Sequence, residues 1–586
     1  MDMHRLLQLL EVPLSQHSAE DLQQEGVLLE VFAVEHAECY EFQSQAIPYE
    51  QFLTRLVTFR LLSADWSRCI PTDQKLRVMQ CVRLLLRDAR HQSQFVALGG
   101  VDAVCSALQS LAAQHFAVDS NSFNSSMLVE CASIIKKLGA DEQSIPMMHA
   151  GKVHLTLVCL LRTHNTALLS AVMVALIQLA QGPACAAAIG SGDCMDSLVR
   201  ILEDYDALFR LLAADLLHVV CRQRCTCAEL VASGGVGKLL LMVRTEDREL
   251  LEKLLRVLYT LTSDDEAVQE LRERGVVGTL TSLLRSIHCG HIQPSELVLA
   301  TLCSTIAKLV VDDQIAAQMR QQNGVYLLGM LLLDTDMNDK VRARVFRSLR
   351  FIYSMERNRK IFKRVFPPDL FALFIDIGHY QYDMELYADL ARRFAGLTAQ
   401  GREGVRAALE EINLEHDPHL QSICGYAVEE ELGSGAFGTV YQVRKEAADN
   451  APYALKRLAL DHVGLFGATP QEMNQEVGKM SSEVKILSEL NHPNIIRYYE
   501  SFAHEGSLYI VMELADGVSL LDFLTSHSEK GARLPESTVW SILIQICRAL
   551  RYIHVRKGVA HRDLSPTNVM VQQQQRGGVG GGGGGG

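Results

Sequence analysis

The chain has 586 residues, 48% apolar but only 6% aromatic, and a formal net charge of −13. That length exceeds a single core and calls for several domain equivalents, or a repeat array plus a domain. The acidic balance argues against a general nucleic-acid binder, whose footprint is a basic excess, and the Leu-, Val- and Ala-rich composition favours helix-on-helix packing over a β-sandwich.

Residues 1–55 are weakly patterned. A short leucine cluster near the start is broken by Glu11 and Pro13 and lacks the apolar core and cleavage site of a secretory signal. No window approaches the roughly 18 uninterrupted apolar residues of a membrane span. The fifteen cysteines are therefore expected to be reduced, buried and inert, in a cytoplasmic setting. His218, Cys221, Cys225 and Cys227 fall close together. A zinc site needs paired ligands with a second pair elsewhere, and none is evident. They read as thiols near a helix end.

Residues 56–400 repeat. Gly100, Gly151, Gly192, Gly235, Gly275 and Gly324 each precede a Leu-rich run, at spacings of 51, 41, 43, 40 and 49 residues. Armadillo and HEAT repeats have periods of roughly 40–47. A glycine can close one helix in the left-handed conformation and let the next leave at a steep angle. Between the glycines the periodicity is helical: Leu250, Leu254, Leu258 and Leu261 fall on one face, as do Leu168, Val172, Leu176 and Leu179. Such helices bury their faces only by stacking on neighbours, which predicts an armadillo-like solenoid. A solenoid surface of this kind implies a protein ligand. Residues 341–400 read as a helical cap broken at Pro367-Pro368, and 401–424 as a linker.

The pattern then changes to strands. Tyr426–Val428 and Thr439–Val443 flank Leu432-Gly433-Ser434-Gly435-Ala436-Phe437-Gly438. A G-x-G-x-x-G that joins strand to strand disfavours a dinucleotide fold, whose third glycine opens a helix. It suits a hairpin lid over the phosphates of ATP. Lys456, ending Tyr453-Ala454-Leu455-Lys456, stands at the spacing of the cation for the α- and β-phosphates. A capped helix is predicted from Thr469. Within it Glu483 should pair with Lys456, with Glu476 the rival one heptad earlier. Residues 507–515 read as a strand entering a hinge. Met512 would guard the pocket behind adenine, and the backbones of Glu513 and Ala515 would meet the adenine edge. Val440 and Ala454 would cover the base, with Met570 as the floor. A long amphipathic helix over 536–555 leads to His561-Arg562-Asp563. There Asp563 would orient the substrate hydroxyl and Asn568 would hold Mg2+.

As an ordered set, GSGAFGTVY, YALK, HPNIIRYY, LYIVMEL and HRDLSPTNVM resemble the first half of a eukaryotic protein kinase domain, over residues 425–571. With the repeats and the stretch FKRVFPPDLFALFIDIGHY ahead of them, they resemble the armadillo-bearing branch of the NIMA-related protein kinases. The resemblance implies a multidomain chain: an all-α armadillo-like solenoid, then an α+β kinase N-lobe and the start of a C-lobe. It also implies ATP and Mg2+ as cofactors and protein hydroxyls as substrates, with neither nucleic acid nor a membrane span.

Two positions depart from the pattern. Ser565 stands where serine/threonine kinases usually carry a lysine that meets the γ-phosphate, which makes tyrosine hydroxyls a further candidate substrate. No Asp-Phe-Gly follows Asn568; residues 572–586 are a Gln/Gly tail. The expectation is a shortened chain, inactive as written, with a non-catalytic armadillo scaffold as the alternative.

Overall fold

In a computed structural model of the chain the described residues are 2–38, 46–64, 66, 70–117, 122–141, 143–190, 193–354, 356–413, 422–435, 438–445, 452–459, 485–504, 507–515 and 517–572. They fall into two compact units, Met1–Val276 and Val277–Gly586.

The elements among the described residues of the first unit are all helices. Residues 1–55, weakly patterned as sequence, form helices Met3–Glu11, Ala19–Glu35 and Ala46–Arg55. Asp2 caps the first, and Ser18 with Asp21 forms a capping box on the second. Their order rests on a pair that no local periodicity could reveal. Arg60, 35 residues beyond Glu25, donates to it through Nε at 2.9 Å and Nη2 at 2.7 Å, and both side chains are fully buried. Gln74 donates to the same carboxylate at 2.8 Å, and Arg60 also reaches the carbonyls of Leu9 and Leu10.

Three-helix repeats follow. One runs Pro183–Ile189, Asp193–Asp204, Ala207–Val220; the next runs Arg224–Ala232, Gly235–Met242, Arg248–Leu261. The third helix of each buries half of its residues. Asp247 caps Arg248–Leu261, which buries Leu250, Leu251, Leu254, Leu255, Val257, Leu258 and Leu261. Each such side chain contributes about 1.5–3 kcal/mol of burial, so the repeats interlock through this face.

The anchor glycines act differently from the expectation. The left-handed residue is beside the anchor: Gly99, Lys152, Gly234 and Asn323 have positive φ, and among the described anchors only Gly275 is itself left-handed. Gly100, Gly235 and Gly324 are needed for close approach. A Cβ at Gly100 would meet the Phe95 ring at 2.5 Å, and one at Gly235 would meet Leu230 at 2.4 Å and Val199 at 2.9 Å. Gly192 lies outside the described residues.

In the second unit the repeats continue through Glu296–Leu309, Asp313–Gln321, Gly324–Leu332 and Asp339–Tyr353. Helices Glu356–Val365, Pro368–Asp376 and Glu385–Ala395 come next. The proline pair starts a helix here, with Pro367 at the cap and Pro368 in the first turn. A further helix, Ala399–Glu411, occupies the start of the stretch read as linker. It packs back on the array: its Leu409 fills the space above Gly329, and Asn323 donates to Asn413 at 2.8 Å.

The rest of the unit carries a six-stranded antiparallel sheet. Its strands are β1 (Ser422–Ile423), β2 (Tyr426–Gly435), β3 (Gly438–Lys445), β4 (Pro452–Ala459), β5 (Tyr498–His504) and β6 (Ser507–Glu513), in spatial order β1-β2-β3-β4-β6-β5. A second ladder pairs β7 (Val518–Ser519) with β8 (Met570–Val571). Helices Leu520–Glu529 and Glu536–Arg551 lie between them in sequence.

Candidate nucleotide site

Side chains alternate across a strand, and directly opposed residues share a face. The register therefore sorts the sheet. Gly433 opposes Val440, Val440 opposes Lys456, and Lys456 opposes Ile510. Ala454, two residues before Lys456, opposes Met512 on the same face. Gly433, Val440, Ala454, Lys456 and Met512, singled out by sequence, thus come together on one side. The other face is the core: Val443, Leu455, Tyr509 and Val511 pack with Ile423 and Tyr426. The β2–β3 hairpin closes on Gly435 opposite Gly438, and its register shifts between Val428 and Glu430 and again between Glu431 and Gly433. Such bulges re-aim a strand near a site; half-buried Leu432 sits at the second.

The hinge follows β6. Glu513 spends its N–H on the Arg497 carbonyl at 2.8 Å. That leaves the carbonyl as its backbone contribution to a base edge. Ala515 lies in the coil beyond, half-buried. Met570 reaches this region through the small ladder, where it opposes Ser519. Sequence reasoning missed the residue that lets the ladder form. A Cβ at Gly517 would stand 2.3 Å from the Val571 carbonyl oxygen, so only glycine fits. The available signal was a glycine just beyond the hinge.

Asp563 and Asn568 meet directly. The Asn568 amide donates to Asp563 Oδ2 and to the Asp563 carbonyl, both at 2.9 Å. Arg562 takes a left-handed φ of 65°, and the Asp563 N–H donates to His561 Nδ1 at 3.3 Å, which turns the loop so that the two side chains face each other. The Ser565 and Thr567 hydroxyls bond at 2.7 Å. The oxygens of Asp563 and Asn568 are hard donors of the kind Mg2+ takes, and the loop leaves both exposed. The lid tip Ala436-Phe437, Glu483 and its rival Glu476 lie outside the described residues.

The long helix Glu536–Arg551 has no buried residue; Val539, Trp540, Leu543 and Ile544 are about half exposed. No single helix among the described residues is long and apolar enough to cross a membrane. Nor does any His, Cys, Asp or Glu cluster among them have the makings of a metal site. His218 bonds to Thr260 and the Cys227 thiol donates to the Cys221 carbonyl, so that cluster is spent on its own helices.

Comparison with known proteins agrees with this geometry. Residues 426–578 match the protein kinase domain family. The chain is 32% identical over 587 aligned residues to "Serine/threonine-protein kinase Nek10" of Homo sapiens, covering 93% of this chain and 50% of that protein. The Mus musculus protein of the same name is 33% identical, with 93% and 53% covered. The chain thus spans about half the length of the curated relatives it matches. Among solved structures, "Designed armadillo repeat protein YIII(Dq)4CqI" aligns at 15% identity and a TM-score of 0.35, covering 42% of this chain and 98% of that one. A kinase-domain match that coincides with the sheet and catalytic loop, and a similarity that runs through the helical repeats as well, support the NIMA-related protein kinase family for this chain.

Proposed function

We propose that the segment over 425–571 binds ATP with Mg2+ for transfer of the γ-phosphate to protein hydroxyls, and that the array presents a surface for a protein ligand. The observation that carries the reading is the shared face of Gly433, Val440, Ala454, Lys456 and Met512. An apolar cover, a glycine-closed hairpin and one cation stand together there, as a nucleotide with charged phosphates requires. Lys456 would neutralise and orient the α- and β-phosphates, with Glu483 holding the lysine. Val440 and Ala454 would cover adenine above Met570, and Glu513 and Ala515 would meet its edge. Asp563 would hold the proton of the attacking hydroxyl, and Asn568 would hold the metal. Mg2+, when bound, supplies charge neutralisation at the β- and γ-phosphates. Ser565 offers a hydroxyl in place of the usual ammonium, so both serine/threonine and tyrosine hydroxyls are candidates.

We expect the chain to bind nucleotide, and to do so in a cytoplasmic setting. Titration with a fluorescent ATP analogue in Mg2+ tests the reading: saturable binding displaced by ATP and weakened at least about tenfold by Lys456→Met is expected. Binding unaffected by that change would sink it.

A further inference from the structure

Helix Leu520–Glu529 touches both halves of the second unit. At its start, the Leu520 N–H donates to the Val569 carbonyl at 2.7 Å, one residue from Asn568, and β7 just before it pairs with β8. At its end, Ser526 donates to Asp313 at 2.8 Å and Lys530 reaches the same carboxylate oxygen at 3.3 Å. The Lys530 ammonium also stands 5.6 Å from the centre of the Tyr380 ring. Glu529 Oε1 accepts from Arg359 at 3.1 Å and lies 3.0 Å from His379 Nε2. The histidine's tautomer follows from its other nitrogen. Arg350 can only donate, and it stands 3.0 Å from His379 Nδ1. Nε2 therefore carries the proton and faces Glu529 Oε1. Asp313, Arg350, Arg359, His379 and Tyr380 all belong to the repeat array and its cap.

We propose that this end of the array is a docking surface whose partner is the chain's own helix Leu520–Glu529, and that docking sets the position of the hinge and catalytic strand. The chemistry is complementary in both signs: an array carboxylate meets Ser526 and Lys530, and array cations and an imidazole meet Glu529. The helix is a short rod, about 14 Å from end to end at about 1.5 Å per residue. Ser519 caps it, accepting from the Asp522 N–H, so displacement at one end is transmitted to the other. The contact is also poised to release. Glu529 Oε2 is buried without a hydrogen-bond partner among the described residues. Burial pushes the Glu529 carboxyl upward against the pull of Arg359 and Arg350. A half-satisfied carboxylate gives specificity with little surplus stability. A protein that bound the array end in place of the helix would thereby loosen the nucleotide site.

Hydrogen exchange on the full chain tests this directly. Glu529→Arg should speed exchange about fivefold or more over 520–530 and, through the rod, over 566–572. Arg359→Glu should do the same, and the Arg359→Glu/Glu529→Arg double variant should return both segments to within about twofold of the original. Far-UV circular dichroism checks that the array remains helical, and Asp313→Ala provides a second, milder variant. Unchanged exchange over 520–530 overturns the docking. Faster exchange there with none over 566–572 overturns the coupling. The nucleotide consequence rests on the reading of the site given above: affinity for the fluorescent analogue should fall with Glu529→Arg and return in the double variant. An original chain that binds no analogue would count against that site reading, while the exchange results would still decide the docking.

Discussion

The repeat array and the sheet-bearing segment use their side chains in opposite ways. In helix Arg248–Leu261 half the residues are buried against neighbouring helices, and the glycine that opens the helix before it has no room for a methyl group. In the sheet only one face is committed to a core; the other holds the lysine, glycines and small apolar residues that sequence had marked. Packing thus dictates the residues of the first region, and an expected ligand dictates those of the second. Substitutions should separate the two: array changes should cost stability, and changes on the open face of the sheet should cost binding.

The largest stability effect is expected at Arg60. Replacing it with Met strands a fully buried Glu25 carboxylate and should cost about 3–5 kcal/mol in denaturant unfolding of the first unit. A Glu25→Leu/Arg60→Met pair should recover part of that loss, because the two apolar groups need no partners while Gln74 and the Leu9 and Leu10 carbonyls still lose theirs. Gly235→Ala comes next. Its methyl meets Leu230 at 2.4 Å and Val199 at 2.9 Å, so a loss of about 1–3 kcal/mol is expected by thermal unfolding. Lys456→Met should leave stability within about 0.5 kcal/mol while removing nucleotide binding. A large drop in its melting temperature would break the contrast, since it would make the open face structural. Smallest of all, Trp540→Glu should change stability by no more than about 0.5 kcal/mol. This residue is 54% exposed, and the measurable gain should be in soluble yield, because an exposed apolar face promotes association. A loss of folded protein would show that the face is covered.

What was legible in the sequence follows the same division. Ala454 and Lys456, two apart on one strand, share a face by alternation alone, whereas Val440 and Met512 were legible only through their places in the ordered motifs, and their sharing of that face comes from the register. The repeat period was equally plain. Its physical basis was not, because positive φ at Lys152 and Asn323 and the collision of a Gly100 methyl with Phe95 depend on packing of successive helices. The helices within 1–55 were hidden for a related reason: the Glu25–Arg60 pair links residues far apart in sequence, and neither falls in a periodic run. Gly517 was overlooked because its constraint is the backbone of Val571, fifty-four residues away.

The Arg60 guanidinium also bonds the carbonyls of Leu9 and Leu10. The opening eleven residues therefore behave as a stopper. A protease that clipped the chain between the first two helices would leave a nick whose fragments stay together, held by a cation the solvent cannot reach. Deleting the same residues before synthesis would instead open that cation to water and let the edge of the array fray inward. Nicked and shortened chains of almost the same mass should thus differ sharply in how readily they are digested further.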